Sequence, residues 1–424
     1  MTSSKKLILV FLAAGILIVS GWFFFSEKIT VEKQESGAAP SGIWISQAEI
    51  MNLPASGAAW DRVRSAADSN WGSACLYDNN CTHDVNTLAG ALVAARTGDG
   101  AMRNKTIAGL QAAMGSSLSR ALELSRGLQT YIIAADIIGY RTPEFEAWVR
   151  EMITINIQGH SGTGVLGTAE NSPNNWGGHA RASLAAAAIY LNDATFTTKV
   201  VNAYKAFIGL SAPNTMVYQS TNWHADPNNK AGVNRKGTTI QGKNVSGVLP
   251  EDWRRGSEFQ WLPTVSGYMW EGMQGYVVAA VILNRSGHVS FNAGDNAVVR
   301  AMDMLYGRGE AAANSPVFVN PPSGDDTWIP WVVNSYAGTN YPTQSASAGK
   351  NMGWTDWTHA SPVSTQPSVT SSDLNTDGKV DVIDLGILLS AWGQTTKPKA
   401  DINQDAKVDV VDLGILLGKW GTSG

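Results

Sequence analysis

Residues 171–179 read Asn-Ser-Pro-Asn-Asn-Trp-Gly-Gly-His and run into an Ala-rich helical segment, residues 181–191. Pro173 and the two glycines predict an irregular backbone before this helix, which a ligand can approach closely. Side-chain amides hydrogen-bond carboxylates or hydroxyls, and an indole offers a flat face to a sugar ring. The alternative is structural, since asparagine also caps helices and tryptophan also packs in cores. The density of the cluster favours a ligand site, because a cap needs only one such residue.

Apolar residues at helical spacing surround this cluster and predict a mainly α domain over residues 43–360. The spacing recurs over residues 85–95, 107–114, 118–138, 143–157, 195–210, 268–284 and 293–305. We predict that paired antiparallel helices bury these stripes by closing into an α/α toroid, an incomplete barrel of helical hairpins. Residues 211–250 lack the pattern and are predicted to form a long functional loop. The Trp-rich residues 307–360 are predicted to close over the toroid.

The composition excludes some partners and favours others. The chain has 424 residues, a net charge of −4 and 16% charged residues, which argues against a nucleic-acid partner. Sixteen Trp and eleven Tyr suit either a carbohydrate-binding surface or an aromatic core.

The N-terminal residues 1–26 are predicted to anchor the chain in a membrane. Lys5 and Lys6 precede an uncharged run, residues 7–25, that is long enough to span a bilayer and places the rest of the chain outside the cytoplasm. A cleaved secretion signal is the alternative. Residues 27–42 read as a tether. Cys75 and Cys81 are the two cysteines of the chain, and in an exported protein they predict one loop-closing disulfide.

Beyond a Ser/Thr/Pro-rich linker, residues 361–372, two loops show the spacing of calcium ligands. Residues 373–384 read Asp-Leu-Asn-Thr-Asp-Gly-Lys-Val-Asp-Val-Ile-Asp, with oxygen ligands at alternate positions and Gly at position 6. Lysine stands at position 7, which contributes its backbone carbonyl. The pattern recurs over residues 401–412, where Ala406 replaces the glycine and predicts weaker binding. The predicted ligands of the two calcium ions are Asp373, Asn375, Asp377, Lys379, Asp381 and Asp384, then Asp401, Asn403, Asp405, Lys407, Asp409 and Asp412.

Each loop leads into Leu-Gly-Ile-Leu-Leu and then Trp-Gly, and this duplicated segment, residues 373–424, resembles a type I dockerin. The resemblance implies a calcium-dependent module that docks onto a cohesin domain and is commonly attached to a polysaccharide-degrading enzyme. It also implies that positions 10 and 11 of each loop, Val382-Ile383 and Val410-Val411, contact the partner.

Two further stretches of the large domain carry chemistry. Residues 221–226 read Thr-Asn-Trp-His-Ala-Asp, and residues 250–261 contain Glu-Asp-Trp-Arg-Arg-Gly ahead of Tyr268 and Glu271. Each has a structural explanation as a surface turn or a core residue. Together they supply what β-elimination on a uronic acid polymer needs: donors that neutralise the carboxylate, a base for the adjacent proton, and an acid for the leaving oxygen. This reaction requires no metal or other cofactor.

The Asn-Asn-aromatic cluster before an Ala-rich helix, with Arg255-Gly256 and a tyrosine downstream, resembles the alginate lyase superfamily of α/α-toroid polysaccharide lyases. The resemblance covers residues 43–360. It departs from the family at Trp176, where the family has its catalytic His directly after Asn, and at the spacing from Arg255 to Tyr268. An alginate-like or a glucuronan-like substrate therefore fits. The predicted catalytic residues are Asn175 and Arg255 at the carboxylate, His224 or His179 as base, and Tyr268 as acid or shared acid and base. The predicted substrate-binding residues are Asn174, Trp176, Trp223, Trp261, Arg126 and Tyr131.

Two other functions compete with a lyase. A glycoside hydrolase needs two carboxylates at one bond, and Asp226, Glu251, Asp252, Glu258 and Glu271 offer several. A non-catalytic protein that binds carbohydrate or assembles with partners would work through the C-terminal module alone.

Overall fold

The computed structural model describes residues 42–211, 215–219, 222–346, 348–360, 372–375, 377–394, 399–402 and 407–421. The predicted membrane anchor, nearly all of the tether and most of the linker lie outside these residues. Within the described ranges, no helix has both the length and the apolar character needed to cross a membrane.

The described chain is mainly helical, as the apolar spacing predicts. The helices are α1 (Gln47–Asn52), α2 (Ala58–Asp68), α3 (His83–Thr97), α4 (Gly100–Met114), α5 (Ala121–Ile137), α6 (Pro143–Thr154), α7 (Gly164–Asn171), α8 (Asn175–Tyr190), α9 (Ala194–Phe207), α10 (Pro250–Trp253), α11 (Tyr268–Arg285), α12 (Ala293–Tyr306), α13 (Ile329–Ala337), α14 (Thr355–Thr358), α15 (Val382–Ser390) and α16 (Val410–Gly418). Short strands β1 (Thr239–Ile240) and β2 (Lys243–Asn244) pair antiparallel inside the predicted long loop. The predicted closure of the helices into a toroid stays a prediction.

Helix α8 lies at the centre of the large domain and packs against α5, α7, α9 and α11. Its alanines keep it thin, and glycines let α11 approach it backbone to backbone. A Cβ added at Gly275 of α11 would lie 2.3 Å from the carbonyl carbon of Gly178, closer than such atoms approach. The start of α8 is therefore held firmly against its neighbours.

Helix α8 begins at Asn175, several residues earlier than the alanine run alone indicates. Trp176 and His179 are therefore helical residues and not part of an irregular approach. The side chain of Asn174 explains the early start, because it caps the helix by accepting hydrogen bonds from Trp176 and Gly177. The apolar spacing did not predict α2 or the short helices α1, α7, α10, α13 and α14.

The Trp-rich segment near residue 360 is tied to the first helices of the domain. The indole of Trp354 donates to the carbonyl of Val85 over 3.0 Å, and that of Trp357 donates to the carbonyl of Pro54 over 2.8 Å. Both indoles are buried. These bonds join residues that are 269 and 303 positions apart in the sequence. The segment therefore holds the end of the domain to its beginning.

The C-terminal module has its own small apolar core. Leu374, Val380 and Leu388 from the first repeat pack with Ile402, Val408 and Leu416 from the second. The two repeats are also linked through the backbone, because the amide of Gly393 donates to the carbonyl of Val408 and that of Gly421 donates to Val380. The duplicated sequence thus forms one module from two similar halves.

Candidate active site

A cavity of about 420 Å³ lies at the N-terminal end of α8. Five of the predicted site residues line it: Asn175, Trp176, Arg126, Arg255 and Tyr268. The remaining lining residues are Asn79, Asn80, Arg120, Leu122, Glu271 and Lys350. All of the lining residues together come from the disulfide loop, α5 and the residue before it, α8, the turn after α10, α11 and the Trp-rich segment. Among the described residues, the cavity lining thus combines four cationic side chains with one carboxylate.

The first turn of α8 presents Asn175 and Trp176 to this cavity. The backbone amide of Asn175 donates to Oδ1 of the buried Asp252 over 2.9 Å, and this bond fixes the first residue of the helix to the core. The cap residue Asn174 is itself buried and does not line the cavity. Its amide nitrogen meets Nε2 of His160 at 3.2 Å, and the His160 ring lies 5.7 Å from that of Trp176. Asn174 and His160 thus support the two residues that reach the cavity.

Glu271 joins two of the predicted residues in one hydrogen-bonded cluster. Its Oε2 accepts from the side-chain amide of Asn175 over 3.1 Å and from the guanidinium of Arg126 over 3.0 Å. The side chain of Arg126 is only 5% exposed, and its ion pair with Glu271 offsets part of the free-energy cost of burying the positive charge. Oδ1 of Asn175 is buried and finds no hydrogen-bond partner among the described residues. Asn175 and Arg126 are therefore oriented before a ligand arrives.

Arg255 stands apart from the other cations of the cavity. Arg126 pairs with Glu271, Arg120 pairs with Glu123, and Lys350 pairs with Asp325.

The guanidinium of Arg255 instead lies over the ring of Tyr268, 4.3 Å from its centroid. The Nε of Arg255 is buried without a hydrogen-bond partner in the described structure, and the Arg255 side chain forms no salt bridge with a described residue. The Arg255–Tyr268 pair thus brings an uncompensated cation and a phenol to one wall of the cavity.

Asp252 lies directly behind this wall. It is fully buried, and burial raises its pKa to about 7 against the lowering effects of the Asn175 amide and of the Arg255 charge. Gly272 of α11 makes room for it, because a Cβ at that position would lie 2.5 Å from Oδ2 of Asp252. Asp252 therefore supports Asn175 from behind and does not face the ligand.

Both predicted bases lie away from the cavity lining. His179 is fully buried inside α8, and burial together with the nearby Arg126 charge holds its pKa well below the usual range. His224 is 4% exposed, and its Nε2 lies 3.6 Å from a carboxylate oxygen of Glu251. Burial lowers the pKa of His224, although Glu251 opposes the shift. Each imidazole is placed as a core residue.

Three predicted aromatic residues also serve the core. Trp223 is buried, packs against Trp253 and donates its indole hydrogen to the carbonyl of Ser257 over 2.8 Å. Trp261 donates its own to the carbonyl of Pro316. Tyr131 is buried, bonds Nδ1 of His83 over 2.7 Å and borders only a much smaller neighbouring cavity. None of the three lines the main cavity.

Six lining residues were not among the predicted site residues: Asn79, Asn80, Arg120, Leu122, Lys350 and Glu271, the last of which was considered only as an acid for a hydrolase. Asn79 and Asn80 lie in the loop closed by the Cys75–Cys81 disulfide, which the structure confirms. The cysteine pair was the available signal for this loop, since a disulfide fixes a segment that would otherwise be free. Arg120 and Lys350 gave no such signal in the sequence.

In the C-terminal module, the loop carboxylates organise the backbone around them. Asp373 accepts from the amides of Asp377 and Gly378, and Asp384 accepts from those of Leu374 and Asp381. In the second loop, Asp412 accepts from the amides of Ile402 and Asp409 in the same way. The last acid of each loop thus bonds to the backbone at the loop's beginning, which draws the two ends together.

The chemistry of these oxygen ligands fits a calcium ion. The described residues contain no cluster of three or more His, Cys, Asp or Glu already at metal-binding spacing. Among the predicted ligands, Asn403 and Asp405 lie outside the described residues. Lys407 and Asp409 form an ion pair of 3.1 Å.

Three of the four predicted partner-contact residues are exposed apolar side chains. Val382 and Val410, which occupy equivalent positions in the two repeats, are 67% and 68% exposed, and Ile383 is 53% exposed. Isolated exposed valines are common, but matching pairs at the start of two helices are typical of an interaction surface.

Comparison with known proteins identifies one part of the chain. No curated protein matches it significantly. Residues 371–418 match the family model of the dockerin type I domain, which supports calcium binding, a cohesin partner and an extracytoplasmic location.

Proposed function

We propose that the large domain is an α/α-toroid polysaccharide lyase that cleaves a uronic-acid-containing polysaccharide by β-elimination. The observation that carries this proposal is Arg255, the lining cation without a carboxylate partner in the described structure, stacked on Tyr268 and sharing a cavity with Asn175. An unpaired guanidinium in a partly enclosed site is suited to a carboxylate, which it binds through two parallel hydrogen bonds.

In the proposed reaction, Arg255 and Asn175 neutralise the uronate carboxylate. Withdrawal of its charge acidifies the proton on the adjacent C5 and stabilises the enolate that forms when this proton leaves. The electron pair then forms the C4–C5 double bond as the bond from C4 to the glycosidic oxygen breaks. Asn175 retains a donor for this task, since an amide nitrogen carries two hydrogens and Glu271 accepts one.

Tyr268 is the proposed shared acid and base. It lines the cavity and is partly exposed, whereas His179 and His224 are buried away from the lining. In this scheme the Tyr268 oxygen takes the C5 proton and returns a proton to the leaving O4. The Arg255 guanidinium lies 4.3 Å from the centroid of the Tyr268 ring, which places the proposed acid and base next to the group that binds the carboxylate.

A glycoside hydrolase is less well supported by the lining of this cavity. That reaction needs two carboxyl groups facing one bond. Among the described residues that line the cavity, Glu271 is the one acid, and Asp252 is fully buried behind it. A purely non-catalytic binding protein would need no phenol beside an unpaired guanidinium.

We further propose that the C-terminal module attaches this enzyme to a cohesin-bearing partner when two calcium ions are bound. The tandem loops, their acid-to-backbone bonds and the paired exposed valines support this arrangement. The enzyme then acts outside the cytoplasm, secreted or held by residues 1–26 at a membrane.

The test is to mix the protein with alginate, glucuronan, pectate, hyaluronan and chondroitin and to follow absorbance in the near ultraviolet. β-Elimination leaves an unsaturated product that absorbs there, so we expect a rise with one or more uronans. Asn175→Ala, folded by circular dichroism, is expected to abolish the rise. Reducing ends without absorbance would establish a hydrolase instead, and silence in both assays would favour a binding protein.

A further inference from the structure

We propose that Glu271 is a specificity residue that recognises a free hydroxyl of the sugar in the cavity, so that the substrate is a uronan without O-acetyl groups. This inference rests on the proposed function, since it concerns the same cavity. It assigns a role to the one carboxylate among the described lining residues, which β-elimination itself does not use.

The two oxygens of Glu271 are in different situations. Oε2 accepts from both Asn175 and Arg126 and is occupied. Oε1 has no hydrogen-bond partner among the described residues, and the side chain is 27% exposed in the cavity wall. The two bonds on Oε2 fix the carboxylate group in one orientation. Oε1 is therefore the acceptor that Glu271 retains for a ligand in this cavity.

An ionised carboxylate only accepts hydrogen bonds, so Oε1 requires a donor from its ligand. The uronate carboxylate is excluded from this position by charge repulsion and is drawn to Arg255. The hydroxyl groups of a sugar are the donors that remain. Charge-assisted hydrogen bonds of this kind are stronger than those between neutral groups.

Acetylation converts a hydroxyl into an ester, which has only acceptors. An ester against Oε1 would place two acceptors together and leave the carboxylate desolvated without a partner. Sites built to bond a hydroxyl reject analogues that lack it strongly for this reason. Glu271 therefore selects polymers with free secondary hydroxyls over their acetylated forms.

The first experiment uses the wild-type protein alone. Dissociation constants are measured by calorimetry for alginate and glucuronan tetrasaccharides, each before and after chemical O-acetylation. We expect acetylation to weaken binding at least tenfold, and the initial rate of absorbance increase on the corresponding polymers to fall in parallel. Equal affinity for both forms, or no binding of either tetrasaccharide, would overturn the inference.

The second experiment tests the residue with Glu271→Gln. The amide oxygen of Gln can accept from Arg126 and Asn175, which turns the NH2 group, a donor, toward the ligand. We expect binding of the free tetrasaccharide to weaken about tenfold and the acetylation penalty to shrink to about threefold or less. The matched control is Glu151→Gln, an exposed residue of α6, for which the penalty should stay unchanged.

The outcomes separate this inference from the proposed reaction. Binding that discriminates against acetyl groups without any new absorbance contradicts β-elimination but keeps the role of Glu271. Elimination at equal rates on free and acetylated polymers keeps the lyase and removes that role. In the variant, a raised KM with kcat nearly unchanged supports recognition, whereas complete loss of kcat in a folded protein overturns it and indicates a catalytic acid.

Discussion

The cavity of the large domain and the calcium loops of the C-terminal module both concentrate charged side chains, but they assemble them differently. In the cavity, Arg126 and Glu271 are 145 positions apart and meet because helices α5 and α11 both pack against α8. In the first loop, Asp373 and Asp384 belong to one continuous segment and bond the backbone amides of their own neighbours.

The difference lies in what compensates each charge. Most cavity cations are paired with carboxylates in the folded protein, so the site stands preformed once the helices have packed. A calcium loop instead gathers several anions in a short segment, and their mutual repulsion favours folding only when a cation binds. The cavity should therefore depend on the core of the protein, and the module on its ions.

The largest expected effect is the response of the module to calcium removal. An ion present at about a thousand times its dissociation constant stabilises a fold by about 4 kcal/mol, and two ions by about twice that. We expect EGTA to open residues 373–424 to limited proteolysis while the melting temperature of the large domain stays unchanged. Re-addition of Ca²⁺, but not of Mg²⁺ at the same concentration, should restore protection. Unfolding of the large domain together with the module on calcium removal would contradict the proposed difference between the two regions.

The next largest effect concerns the unpaired cation of the cavity. Arg255→Ala removes the proposed partner of the uronate carboxylate, so we expect kcat/KM to fall about 10³-fold or more, or about 4 kcal/mol of transition-state stabilisation. The matched control is Arg254→Ala, whose guanidinium pairs with Glu251 over 2.8 Å and does not line the cavity. We expect it to retain activity within about threefold. Equal losses in both variants would mean that Arg255 acts through the local structure alone.

The sequence predicted the module better than the cavity, for a physical reason. The predicted ligands Asp373 and Asp377 are set by spacing within one loop, and spacing is visible in a sequence. Asn175 and Arg255, which line the cavity, were also predicted, because each lies in a short polar stretch with few structural explanations. Lys350 was missed because only the tertiary fold brings it to the cavity.

The burial of the two imidazoles away from the cavity lining has a related cause. His179 follows Asn175 by one helical turn, but the helix begins at Asn175 itself, and this early start leaves the His179 ring buried in the core. His224 lies in a loop that reads as exposed, yet that loop folds back so that its imidazole is buried beside Glu251. In both cases the burial of the imidazole depends on packing against distant parts of the chain, which a local stretch of sequence does not show.

A smaller effect would show how the preformed cavity is supported. Unfolded Asp252 loses its proton near pH 4, whereas the folded protein keeps it to about pH 7. Between these values the folded state binds more protons, so stability falls as pH rises. Asp252→Asn cannot titrate, yet it keeps an oxygen for the Asn175 amide. We therefore expect the free energy of unfolding of the variant minus that of the wild type to increase by about 1.4 kcal/mol per pH unit from pH 4 to pH 7. A constant difference in urea denaturation across this window would contradict the pKa assignment.

The smallest effect distinguishes the two calcium loops. Gly378, at position 6 of the first loop, has φ near +88°, a conformation that costs an L-residue about 1–2 kcal/mol. The second loop has Ala406 at the equivalent position, so we expect part of its calcium-binding energy to be spent on adopting the same turn. We expect Ala406→Gly to tighten the weaker of two calorimetric binding steps by about 5- to 30-fold, and Gly378→Ala to weaken the other by a similar factor. If Ala406→Gly leaves both steps unchanged, the second loop turns without a left-handed residue, and local spacing alone does not determine its affinity.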